Sequence, residues 1–89
     1  MDEKITYHVY VLKSINDNFH YIGHTHDLVS RLQIHNANKV KSTKAHSPYR
    51  IIYVEDYTSR SEACQRESYL KKGQGNFWLR QYLKELNLW

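Results

Sequence analysis

The chain has few of the residues that form cross-links or rigid turns, with one cysteine, one proline and three glycines among 89 residues. The single cysteine, Cys64, excludes an intramolecular disulfide and a zinc site built from several cysteines. No apolar run approaches the roughly 18 residues needed to span a bilayer. The first ten residues, MDEKITYHVY, are acidic and mixed, which is unlike a signal peptide. We therefore expect a protein of the reducing cytoplasm with no membrane partner.

Linkers and repeats are also missing from the sequence. There is no internal repeat, no low-complexity tract and no Gly/Ser-rich linker, so residues 1–89 are expected to form a single domain. Disorder is excluded, because 8 Tyr, 2 Trp and 2 Phe supply ample aromatic surface for packing. A chain of this size buries only about 60–65% of its unfolded surface, so we expect its function to lie at a surface cleft.

The charge is mildly basic and unevenly distributed. Thirteen Lys and Arg against nine Asp and Glu give a net charge of +4, which favours polyanionic partners such as nucleic acid. Residues 39–50 contain Lys39, Lys41, Lys44 and Arg50 without any acid. This basic loop is a candidate nucleic-acid contact, and a simply solvated loop is the alternative.

The first half of the chain has the pattern of a β-hairpin. Residues 7–12 are rich in β-branched and aromatic side chains and predict a strand. The polar turn at 14–18 leads into a second strand at 19–23, which would bring Tyr10 and Tyr21 onto neighbouring strands. Residues 50–57 predict a third strand.

Three helices are predicted from apolar spacing and capping residues. The first, after Gly23, carries Leu28, Leu32 and His35 at helical spacing, with Thr25 or Asp27 as its N-cap. Arg31 lies four residues before His35, so the two share one helix face.

The second helix begins with the capping-box pair Ser59 and Glu62 and ends in a basic turn before Gly73. Ala63, Glu67 and Leu70 form its inward stripe, and a carboxylate in that stripe needs a partner.

Asn76 is predicted to cap the last helix, which runs to about residue 87. Its predicted buried stripe contains Leu79, Tyr82, Leu83 and Leu86. The resulting order is ββαβαα, which indicates an α+β fold with a small three-stranded antiparallel sheet flanked by helices.

Four short motifs occur in order along these elements: V-Y-V at Val9–Val11, Y-I-G at Tyr21–Gly23, R-L-x-x-H at Arg31–His35, and R-E at Arg66–Glu67. Together they resemble the GIY-YIG nuclease superfamily, over most of the chain from about residue 7 to residue 83. The chain departs from the family pattern at three points: V-Y-V replaces G-I-Y, His24 stands where many members have a lysine, and only Asn76 is a candidate for the usual late asparagine. The resemblance is to the small, stand-alone type of member.

The resemblance implies a DNA endonuclease that depends on a single Mg²⁺ or Mn²⁺, of the kind that acts on structured or damaged DNA in repair or recombination. By resemblance, Glu67 would hold the metal, Arg31 would contact the scissile phosphate, and Tyr10, Tyr21 and His35 would complete the catalytic set. We assign activation of the attacking water jointly to Tyr10 and His35. The residues expected to contact nucleic acid are His24, Lys39, Lys41, Lys44 and Asn76.

Several alternatives remain open at this stage. The main one is a binding module of the same fold with little or no catalysis, which would show salt-sensitive affinity without a need for Mg²⁺. RNA is a possible substrate in place of DNA, and a homodimer or a larger repair partner is compatible with the sequence. A zinc site at His24, His26 and His35 is a minor alternative, since no C-x-x-C or H-E-x-x-H pattern is present.

Overall fold

A computed structural model describes residues 4–89 of the chain. In order, its elements are β1 (Tyr7–Ser14), β2 (His20–Thr25), α1 (Leu28–Asn36), β3 (Tyr49–Tyr57), α2 (Arg60–Lys71) and α3 (Gly73–Glu85). A short 3₁₀ turn, Lys44–His46, lies between α1 and β3. The expected α+β class and the order ββαβαα are confirmed. None of the helices within residues 4–89 is long and apolar enough to cross a membrane.

The first strand forms the centre of the sheet, with β2 and β3 antiparallel on either side of it. Its residues 9–12 have exposures of 2% or less. Because alternate side chains of a strand point to opposite faces, both faces of β1 must be covered. This explains why residues 9–12 are apolar without interruption.

The two faces of the sheet are covered by different helices. Helices α2 and α3 cover the face that carries Val9, Val11, Ile22 and Ile52, through Ala63, Leu70, Leu79 and Leu83. Helix α1 covers the other face, which carries Tyr10, Leu12 and Tyr49, through Leu28 and Leu32. Strand β2 is therefore an edge strand with α1 on one side of the sheet and α2 on the other.

The predicted helix starts agree with the structure for α1 and α2. Asp27 caps α1 by accepting a hydrogen bond from the backbone N–H of Ser30, and Ser59 caps α2 by accepting one from Glu62. Helix α2 ends where it was expected to end, before Gly73, which has a φ of +60°. A left-handed backbone at this position favours glycine over residues with a Cβ.

The prediction that Asn76 caps the last helix is wrong. Helix α3 begins at Gly73, immediately after α2, and Asn76 lies in its first turn. The side-chain Nδ2 of Asn76 donates to the carbonyl of Leu70, 3.0 Å away, and so joins the end of α2 to the start of α3.

The predicted buried stripe of α3 is half right. Leu79 and Leu83 are fully buried, but Tyr82 is 41% exposed and Leu86 is 50% exposed. The stripe instead includes Gly75, four residues before Leu79, where an added Cβ would lie 2.1 Å from the carbonyl oxygen of Tyr69. Gly75 therefore lets α3 pack closely against the end of α2.

Candidate active site at the edge of the sheet

Tyr10 lies on the central strand directly opposite Gly23 of β2. A Cβ added to Gly23 would lie 2.7 Å from the phenolic oxygen of Tyr10 and 2.9 Å from Cε1 of Tyr21. Glycine is therefore needed here because the phenol of Tyr10 occupies the space above its backbone. The last residue of the Y-I-G motif thus makes room for the tyrosine of the V-Y-V motif.

A chain of buried hydrogen bonds runs from Tyr10 into the basic loop. The Oη atom of Tyr10 lies 3.0 Å from Nε2 of His35, and Nδ1 of His35 lies 2.9 Å from Oγ1 of Thr43. The Thr43 hydroxyl donates to the carbonyl of Val40 at 3.4 Å, and the hydroxyl of Tyr49 donates to the carbonyl of Thr43 at 2.6 Å. His35 and Thr43 are both fully buried.

This network favours one tautomer of His35. With its own proton directed at Val40, the Thr43 oxygen accepts a hydrogen bond from Nδ1–H of His35. The Nε2 atom is then unprotonated and accepts the phenolic proton of Tyr10. Hydrogen-bond partners of this kind commonly set the tautomer of a histidine.

Burial sets the protonation states of this pair at neutral pH. It raises the pKa of Tyr10 to about 12, against the opposing effect of the neighbouring Arg31 guanidinium. Burial, reinforced by the positive charge of Arg31, lowers the pKa of His35 to about 4. The pair therefore consists of a protonated phenol and a neutral imidazole.

Arg31 completes the group on the face of the sheet that α1 covers. The neighbouring phenol of Tyr10, and to a smaller extent that of Tyr21, raises the pKa of its guanidinium. The ring of Tyr21 lies 4.8 Å from that of His35 and 6.2 Å from that of Tyr10, measured between centroids. The structure thus brings Tyr10, Tyr21, Arg31 and His35 into one cluster.

Glu67 approaches the same edge strand from α2, on the opposite face. Its side chain is 17% exposed, with Oε1 2.8 Å from Nδ1 of His24 and Oε2 2.9 Å from Nζ of Lys71. The ammonium of Lys71 in turn lies 5.9 Å from the ring centroid of Tyr21. The inward carboxylate therefore has two partners, and Lys71 joins it to the tyrosine cluster.

The donor set suits a hard divalent ion better than zinc. Within the described part of the chain, no group of three or more His, Cys, Asp or Glu side chains is placed to hold a metal. His24 instead bonds Glu67, and His35 bonds Tyr10 and Thr43. Mg²⁺ and Mn²⁺ are compatible with Glu67, because Mg²⁺ is often held by one or two carboxylates together with waters and substrate phosphate. The two carboxylate oxygens also have more acceptor capacity than these two contacts use.

The basic loop lies next to this site along the chain. Lys39, Lys41 and Lys44 are exposed, and none of them forms an ion pair with another residue in the range 4–89. The buried Thr43 lies among them and contacts His35. Of the other predicted nucleic-acid contacts, His24 is paired with Glu67, and Asn76 is held by Leu70.

Two residues of this arrangement were not singled out from the sequence. Lys71 lies four residues after Glu67 on α2, and this spacing alone indicates an ion pair. Thr43 lies in a polar stretch with no periodicity, so the sequence contains no signal for its burial.

Comparison with known proteins places this arrangement in a family. The protein-family model that describes the GIY-YIG catalytic domain matches residues 6–82 of this chain. A UPF0213 protein of Streptococcus pneumoniae is 41% identical over 73 residues, which cover 81% of this chain and 71% of that protein. The UPF0213 protein YazA of Bacillus subtilis is 38% identical over 66 residues, 73% of this chain and 67% of that protein.

A solved structure is also similar. The solution structure of the UPF0213 protein BH0048 from Bacillus halodurans has a TM-score of 0.51 and 26% identity, and the match covers 89% of this chain and 85% of that one. The match over residues 6–82 spans all four motifs, every element from β1 to α2, and most of α3. The chain therefore belongs to the GIY-YIG catalytic domain family.

Proposed function

We propose that this chain is a metal-dependent endonuclease that hydrolyses phosphodiester bonds in DNA. The observation that carries the proposal is the convergence of two groups at the β2 edge. The pair of Tyr10 and His35 approaches from one face of the sheet, and the Glu67 carboxylate approaches from the other. Tyr21 and Lys71 lie between them.

Activation of the attacking water is assigned to Tyr10 and His35 acting together. A phenol with a pKa of about 12 is a poor base at neutral pH unless its proton has somewhere to go. The unprotonated Nε2 of His35, 3.0 Å away, can accept that proton as the phenolic oxygen takes one from water. Thr43 holds the opposite ring nitrogen and so keeps Nε2 available as an acceptor.

Arg31 is assigned to the scissile phosphate. Its planar guanidinium offers several N–H donors in a geometry that matches phosphate oxygens. The residue is partly buried beside Tyr10 and Tyr21, where a positive charge acts more strongly than it does in open water. Arg31 would therefore orient the phosphate and stabilise the charge that develops on it during attack.

Glu67 is assigned to the divalent ion. Glu67 would hold an ion that, when bound, would supply positive charge to stabilise the phosphoryl oxygens in the transition state. His24 and Lys71 contact the two carboxylate oxygens beside strand β2, which fixes the direction of the Glu67 side chain. Lys39, Lys41 and Lys44 would attract the DNA backbone from the adjoining loop.

The second candidate function is a nucleic-acid-binding module with weak or absent catalysis. The ion pair between Glu67 and Lys71 favours it, because a cation of the protein itself already occupies one side of the carboxylate. The two functions differ in their dependence on metal. A binding module would hold DNA through the lysines with strong salt dependence and no need for Mg²⁺.

A cleavage panel separates the two functions and defines the substrate. Purified protein is incubated with linear, nicked, flapped and four-way DNA and with matching RNA, with and without Mg²⁺. The proposal predicts Mg²⁺-dependent nicking of at least one DNA. Binding without cleavage of any DNA would support the binding module, and cleavage of RNA alone would overturn the assignment of DNA.

A further inference from the structure

A cavity of about 380 Å³ lies beside the candidate active site, at the outer side of strand β2. Its walls are His20, Tyr21, Ile22, Lys71, Asn76 and Trp89. Two of these, Tyr21 and Lys71, belong to the arrangement around Glu67 described above. Other cavities, at the β1–β2 loop, beside Tyr57 and along α1, contain none of the candidate catalytic residues.

The aromatic wall of this cavity is fixed in position. The indole of Trp89 stacks on the ring of His20, with centroids 3.6 Å apart and an angle of 7° between the planes. The ammonium of Lys13 donates to the backbone carbonyl of Trp89 at 2.6 Å. Trp89 also packs against the core under α2 and α3. An aromatic surface held in this way loses little conformational freedom when a ligand stacks on it.

The polar groups of the cavity suit a nucleotide. Lys71 is 47% exposed, so its ammonium can contact a phosphate while it remains near Glu67. Asn76 commits Nδ2 to the carbonyl of Leu70, which leaves the side-chain oxygen of Asn76 without a hydrogen-bond partner in residues 4–89. The Nε2 atom of His20 is buried and likewise lacks a partner there, although buried polar atoms usually have one.

The position of the cavity indicates which nucleotide it would hold. A DNA strand whose scissile phosphate lies at Arg31 and Tyr21 would continue past the β2 edge of the sheet. On the side of the cavity it would meet Lys71, which lies beside Tyr21, and then Trp89, a cation followed by an aromatic ring. Proteins that bind single strands commonly combine these two features, with the cation at the backbone and the ring under a base.

We propose that this cavity binds the nucleotide next to the cleaved bond, with Lys71 at its phosphate and Trp89 at its base. The inference rests on the proposed endonuclease function and adds a binding subsite to it. Since stacking is tolerant of sequence, this subsite would contribute affinity and register without selecting one base.

The two tryptophans of the chain provide the test. Trp89 lies in the cavity wall, whereas Trp78 contacts Tyr53 and Tyr82 at the β3 side of the molecule. In the variant Trp78→Phe, Trp89 is the only tryptophan left, so its fluorescence reports on the cavity. The variant Trp89→Phe keeps only Trp78 and is the matched control. The ligand is a 5′-phosphorylated thymidine dinucleotide, added without divalent ions so that it stays intact. Its analogue, with one base replaced by hydrogen, is titrated in parallel.

The proposal predicts quenching of Trp89 emission by the dinucleotide and no change in Trp78 emission. Loss of one of the two bases should weaken binding to the Trp78→Phe protein by roughly tenfold. Trp89 emission that does not respond, or that responds equally to the analogue, would overturn the subsite. If the wild-type protein still nicks DNA in that case, only the subsite is wrong. Quenching without nicking of any DNA would instead support nucleotide binding in the cavity but count against the nuclease function, and so against a place next to a cleaved bond.

Discussion

The phenolic oxygen of Tyr10 lies 3.0 Å from Nε2 of His35, in a contact between two side chains that are almost completely removed from solvent. This contact joins the central strand to α1 across 25 positions of sequence. It gives the phenolic proton an acceptor inside the protein, and the assignment of water activation depends on it.

Protonation of His35 is predicted to lower the cleavage rate at acidic pH. As an acceptor, His35 must be neutral, and burial lowers its pKa from 6.5 to about 4. Cleavage at constant Mg²⁺ should therefore be retained at pH 5.5 to 6 and fall only as the pH approaches about 4. A rate that already halves near pH 6.5 would show that the imidazole titrates like an exposed histidine.

The same shift predicts an effect of His35 on stability. At pH values above 6.5 the imidazole is neutral in both the folded and the unfolded chain, so its contribution is present in full. Between 6.5 and about 4 the unfolded chain binds a proton that the folded chain does not, so stability falls as the pH falls. The free energy of unfolding, measured with urea, should fall less between pH 7.5 and pH 5 in His35→Gln than in the wild type. Equal losses in the two proteins would contradict the buried, neutral assignment.

Thr43 is predicted to act through His35. Thr43→Val has nearly the same shape but removes the oxygen that lies 2.9 Å from Nδ1 of the imidazole. We expect the nicking rate to fall about tenfold or more, because Nδ1 loses the partner that fixes the tautomer. Long-range ¹H–¹⁵N spectra of His35 should show a mixture of tautomers in this variant and one tautomer in the wild type. Thr43→Ser retains a hydroxyl and should recover most of the rate, whereas an equally inactive Ser variant would point to packing alone.

Gly23 is predicted to be intolerant of even a methyl group. In Gly23→Ala the new Cβ would meet the phenol of Tyr10 at 2.7 Å, so the phenol must shift from the position in which it bonds His35. Overpacking of this kind costs about 1–3 kcal/mol in the free energy of unfolding. Combined with Tyr10→Phe, which removes the closest atom, the alanine should cost less than it does alone. Additive costs in this double-mutant cycle would show that the new methyl group does not compete with the Tyr10 hydroxyl for space.

The basic loop is predicted to control the salt dependence of DNA binding. Replacing Lys39, Lys41 and Lys44 with glutamine should lower the slope of log affinity against log salt by about 0.9 for each phosphate contact that is lost. Lys84→Gln on α3 is the control, since this exposed lysine belongs neither to the basic loop nor to the candidate active site. An unchanged slope in the loop variant would show that these lysines do not contact the backbone.

Much of the fold could be predicted from sequence because its signals are local. The hairpin follows from the apolar stretches around a polar turn, and the shared face of Arg31 and His35 follows from their spacing of four. The cap Ser59 was predicted, and Asp27 was one of two candidates with Thr25, since a cap needs only the N–H groups of its own helix.

The remaining features depend on contacts between distant segments. His24 meets Glu67 only because β2 and α2 pack together, 43 positions apart. Thr43 is buried only because its loop folds over α1. The early start of α3 depends on Gly73, whose left-handed backbone lets a new helix follow at once and leaves Asn76 without a capping role.

The central claim is that Glu67 holds the ion required for cleavage, and a comparison of two matched carboxylate variants tests it most directly. Glu67→Gln keeps the shape of the side chain but removes its charge, and Glu85→Gln makes the same change at an exposed position on α3. Initial nicking rates are measured over a series of Mg²⁺ concentrations on the DNA that the wild type cuts best. The account predicts that Glu67→Gln loses at least about a hundredfold in rate, as expected when a main source of transition-state charge stabilisation is removed, while Glu85→Gln matches the wild type. Mg²⁺-dependent cleavage by Glu67→Gln at the wild-type rate would contradict it.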